Sequence, residues 1–290
     1  MKFHTVVIIY NPNSTGPSKH NAESLKEDLL ERGFDGDIQL VGTKFAGHAE
    51  EITAQHASNE STLILSSSGD GGYNEVVNGY IQSGAAATIA VLPSGNANDH
   101  AVTVGTDDFI SSILTGNMRR IDCISVESTV EGKPWKRYAH SYAGFGMTPS
   151  VGKLLTYKRP GVLLEKWYVL KHVLSFHHVT LIIDGRRRKF TNLIAAIIPK
   201  MSKVVKLDED ASVTDGNMEI YITKYVSRLK VILTLIGIGL SGVASESRTK
   251  SYTVRTVRPI LIQLDGEVTR IDADADITMR CESDRIQTLA

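Results

Sequence analysis

The first 118 residues alternate between short apolar runs and amphipathic stretches, and this alternation constrains the fold more than any other feature. Apolar runs at residues 6–9, 38–41, 63–65 and 89–92 predict strands. Apolar residues at helical spacing predict helices at 18–32, 46–57 and 73–82. Strands that alternate with helices form a parallel sheet covered on both faces. We therefore predict a doubly wound α/β domain with its ligand outside the carboxyl ends of the strands.

The second half of the chain has a different pattern, with short alternating runs separated by turn signals. Runs at 179–183, 193–198, 218–222, 253–257 and 260–264 predict strands, and the dipeptide Asp184-Gly185 predicts a hairpin turn. Helices are predicted at 162–175 and 228–241. We predict an α/β domain at 1–121 and a mainly antiparallel β-sandwich domain at 122–290, whose last residues can return to the first domain.

Charge and cysteine content exclude several classes of protein. The chain has 32 acidic and 32 basic residues, so no overall field favours nucleic acid. Cys123 and Cys281 lie far apart and predict neither a disulfide framework nor a zinc site, which favours a reducing cytoplasm. The longest apolar run, residues 231–240, is about half of the ~20 residues that span a bilayer, so no transmembrane segment is predicted.

Polar turns that contain glycine follow three of the predicted strands. They are NPNSTG at residues 11–16, SGDGG at 68–72 and PSGNANDHA at 93–101. A glycine-rich turn that opens a helix directs free backbone N–H groups and the positive end of the helix dipole at one point. A single such turn also serves tight strand–helix packing. Three turns at one edge of a sheet predict a cleft for nucleotide phosphates, although neither the dinucleotide-binding nor the Walker pattern is present.

The order of these motifs resembles the diacylglycerol kinase catalytic-domain family, bacterial lipid kinases related to sphingosine kinases and, distantly, to NAD kinases. That family carries N-P-x-S-G, G-G-D-G-T-x-N-E-V-x-N-G, P-x-G-T-x-N-D-F-A and a late D-G-E. This chain has NPNSTG, SGDGGYNEVVNG, PSGNANDHA and LDGEV in the same order. The segment DASVTDGNMEI at 210–220 resembles the part of the family that holds a structural magnesium ion.

The resemblance implies an ATP-dependent lipid kinase that uses Mg²⁺ and binds ATP in a cleft between its two domains. It implies that Glu267 is the general base and that Asp265 orients that site or binds metal. It implies a structural metal site at Ser212, Asp215 and Asn217. The positions that it assigns to the nucleotide are Asn11, Thr43, Ser68, Gly69, Asp70, Gly71, Gly72, Asn74, Glu75, Gly95 and Asn96.

The implied substrate is a hydroxyl of a membrane lipid such as diacylglycerol, which would place the enzyme in phospholipid biosynthesis. An enzyme of this kind is cytoplasmic and binds the membrane surface peripherally. The resemblance leaves homodimer formation open.

This sequence departs from the family pattern at three positions. Ser68 stands where the family has the first glycine of G-G-D-G-T, and Gly72 and Asn96 replace its two threonines. The missing hydroxyls raise the alternative of a nucleotide- or lipid-binding regulator without catalysis. A kinase of a soluble acceptor such as NAD is a second alternative. Taken by itself, Asp265-Gly266-Glu267 indicates a solvated turn.

Other polar and basic segments have simpler interpretations. The D-x-D-x-D run at 272–276 lacks the glycine and glutamate of a calcium loop, so a solvated turn is predicted. The basic run RRRK at 186–189 suits either a solvated face or contact with anionic lipid headgroups. Residues 153–172 mix basic and apolar side chains, which suits a membrane interface or a packed helix equally.

Overall fold

A computed structural model of the chain describes residues 3–14, 16–84, 86–95, 98–106, 108–149, 178–201, 205–207, 210–224 and 245–290. The helices predicted at 162–175 and 228–241, the mixed segment at 153–172 and the candidate residue Asn96 lie outside these ranges. The chain divides into two compact units. The first contains Met1–Cys123, Val213–Asp215 and Ser283–Ala290, and the second contains Ile124–Ser212 and Gly216–Glu282.

The first unit contains a four-stranded parallel sheet in the order β2-β1-β3-β4. Its strands are β1 (Thr5–Tyr10), β2 (Asp37–Gly42), β3 (Thr62–Ser68) and β4 (Thr88–Pro93). Its helices are α1 (Ser18–Glu31), α2 (His48–His56), α3 (Asp70–Gln82), α4 (Asp99–Val104) and α5 (Phe109–Thr115). The predicted parallel α/β domain is confirmed, and its predicted strands and helices agree with these bounds.

Side-chain alternation along β1 and β3 explains why helices cover both faces of this sheet. Val6 and Ile8 of β1 belong to a buried cluster with Leu25 of α1 and Ile113 of α5. Val7 and Ile9 alternate with them and are also buried, so their side chains face the other side. Helices α2 and α3 pack against each other and against β1 and β3.

The last residues of the chain belong to the first unit. Leu289 is part of the same buried cluster as α1 and α5. The carbonyl of Ala290 accepts a hydrogen bond of 2.6 Å from Ser112 Oγ, and its N–H donates to the carbonyl of Asn117 at 3.0 Å. These contacts attach the carboxyl end of the chain beside α5.

The second unit is mainly antiparallel, as predicted. Among the described residues, eleven strands form one sheet, and β10 and β11 pair separately. The strands are β5 (Met118–Val130), β6 (Lys133–Ala139), β7 (Tyr142–Gly146), β8 (Val179–Ile183), β9 (Arg186–Ala196), β10 (Lys200–Met201), β11 (Val205–Lys206), β12 (Met218–Lys224), β13 (Ser247–Thr249), β14 (Ser251–Thr256), β15 (Ile260–Leu264), β16 (Glu267–Ile271) and β17 (Asp276–Leu289). The part of β5 up to Cys123 and the part of β17 from Ser283 belong to the first unit.

Some pairs of these strands are connected by tight turns in which both residues have positive φ. Asp184 and Gly185 join β8 to β9 with φ of 50° and 72°, so the predicted hairpin is confirmed. Glu131 and Gly132 join β5 to β6 with φ of 51° and 72°, a hairpin that the sequence patterns did not indicate. Within the described residues, no helix is both long and apolar enough to cross a membrane.

Candidate active site

The three polar turns after β1, β3 and β4 meet at the carboxyl edge of the parallel sheet. A Cβ atom on Gly95 would collide with the backbone of Gly69, 2.9 Å from its nitrogen, and one on Gly16 would collide with the carbonyl of Ser94. The N–H of Ser94 also donates to the carbonyl of Ser68 at 3.0 Å. Close packing of the turns therefore requires these glycines, whatever ligand the edge binds.

Buried hydroxyl groups attach helix α1 to the same edge. Ser67 Oγ donates to the carbonyl of Ser18 at 2.7 Å, and Ser18 Oγ donates in return to the carbonyl of Ser67. Ser94 Oγ lies 3.0 Å from Ser67 Oγ and accepts a hydrogen bond from Asn21 Nδ2 at 2.9 Å. These contacts fix the ends of β3 and β4 relative to α1.

Asp70, the first residue of α3, makes its described hydrogen bonds to the protein backbone. Its Oδ2 accepts from the N–H of Asp99 and its Oδ1 from the N–H of His100, both at 3.3 Å. The carboxylate thus receives the first two N–H groups of α4. Asp70 was predicted at the nucleotide phosphates, and the structure shows that it joins the turn after β3 to the turn after β4.

Sequence reasoning assigned no role to Asp99 and His100, although both lie in the PSGNANDHA motif. Asp99 is almost fully buried and His100 is completely buried. The ring of His100 lies 5.1 Å from that of Tyr73, between centroids. Their position in a motif that contains a predicted nucleotide residue, Gly95, is the signal that could have identified them.

Glu75 and Asn74 face the protein interior from α3. Glu75 Oε2 accepts a hydrogen bond of 3.1 Å from the N–H of Ala49, in the first turn of α2. Asn74 is almost fully buried, and its Oδ1 accepts from Asn78 Nδ2 at 3.1 Å. Glu75 thereby holds the start of α2, which follows the turn that contains Thr43. Thr43 is half-buried directly after β2, and its N–H donates to the carbonyl of Tyr10 at 2.9 Å.

The remaining nucleotide candidates lie within the same turns. The N–H of Asn11, which follows β1, donates to Ser18 Oγ at 3.0 Å. The N–H of Gly95 donates to Asn98 Oδ1 at 3.0 Å, and Asn98 Nδ2 donates back to the carbonyl of Gly95 at 2.9 Å. Gly71 lies in the first turn of α3. The structure therefore brings the described nucleotide candidates to one edge of one sheet, except for Asn74 and Glu75, which face the interior from α3.

The Asp265-Gly266-Glu267 segment forms the turn between β15 and β16. Asp265 has a φ of 47° and Gly266 a φ of 106°, a conformation that favours glycine at the second position. Asp265 is completely buried, so the turn is not solvated at this residue, unlike the solvated turn that the tripeptide indicates when taken by itself. Glu267, two residues later, is exposed at the start of β16.

The Asp265 carboxylate is held by backbone groups between β6 and β7. Oδ2 accepts from the N–H of His140 at 2.6 Å, and Oδ1 accepts from the N–H groups of Ser141 and Tyr142 at 3.1 and 2.8 Å. His140 Nε2 also lies 3.4 Å from Oδ2. A carboxylate that receives several N–H groups is strongly stabilised in its ionised form. Asp265 therefore fixes the turn that carries Glu267.

The three predicted metal ligands lie in one loop before β12. Ser212, Asp215 and Asn217 are each half-buried, and they offer hydroxyl, carboxylate and amide oxygens. Oxygen donors of this kind are those that Mg²⁺ prefers, so the donor set fits the ion. Within the described ranges no three His, Cys, Asp or Glu side chains gather as a metal cluster. A site in this loop would accordingly depend on hydroxyl, amide or carbonyl oxygens beside its carboxylate.

A parallel α/β unit with glycine-bearing turns gathered at its carboxyl edge defines a class of protein that binds phosphorylated ligands at that edge. Residues 5–126 match the family model described as the diacylglycerol kinase catalytic domain. This match, together with relatives that are themselves diacylglycerol kinases, supports a kinase whose first 126 residues resemble that catalytic domain.

Relatives and solved structures agree with this assignment. The chain is 26% identical over 280 residues to a diacylglycerol kinase of Bacillus subtilis (strain 168), an alignment that covers 90% of this chain and 88% of that protein. It is 24% identical over 277 residues to a diacylglycerol kinase of Staphylococcus saprophyticus, covering 90% and 88%. The crystal structure of a diacylglycerol kinase from Bacillus anthracis str. Sterne covers 100% of this chain and 97% of its own, with a TM-score of 0.69 and 18% identity. The structural likeness shows the shared two-domain fold.

Proposed function

We propose that this protein is an ATP-dependent lipid kinase that phosphorylates a hydroxyl of a membrane lipid such as diacylglycerol. The observation that carries the proposal is the contact between the three polar turns at the carboxyl edge of the catalytic domain. The named activity of the Bacillus subtilis and Staphylococcus relatives, which align over nearly the whole chain, supports diacylglycerol as the acceptor.

In this proposal the nucleotide phosphates bind at the turn after β3. The N–H groups at the start of α3 and the positive end of its dipole favour a negative charge there. The packed glycines leave little side-chain bulk between ligand and backbone. The proposed contacts to ATP come from Asn11, Thr43, Ser68, Gly69, Asp70, Gly71, Gly72, Asn74, Glu75, Gly95 and Asn96.

Glu267 is the proposed general base. Its carboxylate takes the proton of the lipid hydroxyl as that oxygen forms a bond to the γ-phosphorus of ATP, and the bond from the γ-phosphorus to the bridging oxygen breaks to release ADP. The exposed position of Glu267 leaves it accessible to an acceptor. Asp265 is proposed to orient this glutamate indirectly. The backbone hydrogen bonds that its carboxylate accepts fix the turn that carries Glu267.

Mg²⁺ would neutralise charge on the transferring phosphoryl group. Ser212, Asp215 and Asn217 are proposed to hold a second, structural ion in their loop. The adjacent residue Val213 attaches this loop to β5, because its carbonyl accepts a hydrogen bond of 2.7 Å from the N–H of Asp122. The loop is therefore attached by its backbone at the residue next to Ser212.

Access to a lipid substrate requires contact with a membrane surface. The β8–β9 hairpin has a basic surface that suits such a contact. Arg186, Arg187, Arg188 and Lys189 are all exposed there. Each basic residue near an anionic surface adds about 1 kcal/mol of attraction. We propose that this hairpin contacts anionic lipids. In vesicle co-sedimentation, Arg187→Gln/Arg188→Gln should bind less well than the control Lys133→Gln/Arg270→Gln, and equal binding would contradict the contact.

Transfer of labelled phosphate from ATP to a total lipid extract, resolved by chromatography, tests the proposed activity. The expected result is one labelled phospholipid that co-migrates with phosphatidic acid and disappears when Mg²⁺ is chelated. A parallel reaction with NAD as acceptor examines the soluble-substrate alternative. Labelled NAD, or nucleotide binding without any labelled product, would contradict the lipid kinase.

A further inference from the structure

Ser68 and Gly72 occupy one shared space across the junction of β3 and α3. A Cβ atom on Gly72 would lie 2.6 Å from Ser68 Oγ and 2.7 Å from Ser68 Cβ, closer than real Cβ contacts. Ser68 is itself almost fully buried at the end of β3. A serine at 68 therefore excludes any side chain at 72 unless the junction moves.

The two positions are also the ones at which the chain departs from G-G-D-G-T. The family pattern has glycine on the strand and threonine in the first helical turn, whereas this chain has serine on the strand and glycine in the helix. Ser68 Oγ lies 2.6 Å from the place where the Cβ atom of a side chain at 72 would lie. The serine side chain at position 68 thus fills the space that the missing threonine side chain at position 72 leaves.

The hydrogen bonds of Ser68 leave its hydroxyl able to serve a ligand. Ser68 Oγ donates to the carbonyl of Gly69 at 3.0 Å and lies 2.7 Å from Ser66 Oγ, which can donate to it. The carbonyl of Gly69 also accepts from the N–H of Tyr73 at 3.1 Å. Ser68 can therefore turn its O–H toward a phosphate oxygen without leaving that carbonyl unpaired.

We propose that Ser68 and Gly72 form a reciprocal exchange relative to the family pattern. The hydroxyl at the start of α3, which the family's threonine supplies from the helix, comes here from Ser68 on strand β3. This inference rests on the proposed nucleotide site and names Ser68 as the residue whose hydroxyl contacts the phosphates in place of residue 72. It also removes Gly72 as a reason to regard the protein as inactive.

Thermal unfolding without nucleotide tests the geometry. Gly72→Thr should lower the unfolding midpoint by about 5 °C, because it overpacks the junction beside Ser68. The same change made in the Ser68→Gly background should lower it by less than about 2 °C. Equal effects of Gly72→Thr in the two backgrounds would show that the residues do not share a space and would overturn the exchange.

Calorimetric titration with a non-hydrolysable ATP analogue and Mg²⁺ tests the role of the hydroxyl. Ser68→Ala should weaken binding about tenfold. The double variant Ser68→Gly/Gly72→Thr should recover to within about threefold of the wild type. Ser83→Ala, at the far end of α3, is the matched control. Unchanged affinity in Ser68→Ala, or no recovery in a folded double variant, would overturn the assignment.

The two measurements separate this inference from the proposed function. If the wild-type protein binds no nucleotide, the proposed function fails together with the role of the Ser68 hydroxyl. The steric exchange is still decided by the unfolding midpoints, which need no ligand.

Discussion

At the scale of single residues, carboxylates among the candidate residues of each unit position the backbone. Asp70 receives two N–H groups of α4, Glu75 receives one from α2, and Asp265 receives three from the segment between β6 and β7. Charge-assisted hydrogen bonds of this kind are about twice as strong as neutral ones. A substitution at such a residue should therefore act through the loop that it holds.

Asp70→Asn is expected to weaken nucleotide binding about tenfold, because an amide can accept only one of the two hydrogen bonds from α4. Calorimetric titration with ATP and Mg²⁺ measures the effect. Asp28→Asn on α1 provides a control at a residue to which we assign no role at the nucleotide. An affinity equal to that of the wild type would show that Asp70 does not shape the nucleotide site.

At the scale of secondary-structure elements, the contact between the turns after β3 and β4 determines the shape of the phosphate edge. Gly69 and Gly95 approach backbone to backbone, and the N–H of Ser94 donates to the carbonyl of Ser68. No side chain can be inserted between these turns without separating the strand ends.

Gly95→Ala should therefore both destabilise the first unit and impair nucleotide binding. Overpacking of this kind costs about 1–3 kcal/mol, which corresponds to a fall of roughly 3–10 °C in the unfolding midpoint. Gly84→Asn is the control, because Gly84 has open space around it and a φ of 67° that asparagine tolerates. A midpoint for Gly95→Ala equal to that of the control would contradict the close packing of the turns.

The turn between β15 and β16 gives a second prediction at this scale. In Asp265→Asn an amide group would replace one carboxylate oxygen and face a backbone N–H, which should cost about 1–3 kcal/mol of stability. Kinase activity should fall with it, since Glu267 loses its support. Asp274→Asn changes an exposed aspartate of positive φ in another turn and should be near neutral. If chemical denaturation finds equal stabilities, Asp265 does not anchor the turn.

At the scale of the whole molecule, the architecture could be predicted because the sequence patterns that indicate strands and helices are local. The 3.6-residue and two-residue periodicities indicated the strands and helices of the first unit and several strands of the second. The roles of Asp70 and Asp265 could not be predicted this way, since their partners lie 29–30 and 123–125 residues away in the chain. The Ser68–Gly72 contact likewise depends on how β3 meets α3.

The strands of the second unit that the sequence did not indicate have weaker periodic signals. β5 has Arg119 and Arg120 directly after its first residue, and three of the seven residues of β6 are charged, so neither has a long apolar alternation. Their pairing comes from the Glu131-Gly132 turn and from the sheet around them. Tertiary context thus determines strands that local pattern leaves open.

The central claim, that this protein transfers phosphate to a lipid hydroxyl with Glu267 as the base, is tested most directly with diacylglycerol in mixed micelles. The rate of labelled phosphatidic acid formation from ATP and Mg²⁺ is compared between the wild type and Glu267→Gln, with ATP affinity measured on the same preparations. We expect turnover in the wild type, a loss of about 10²–10⁴-fold in the variant, and ATP affinities within a few-fold of each other. A variant that retains its rate, or a wild type that binds ATP and yields no phosphatidic acid, would contradict the account.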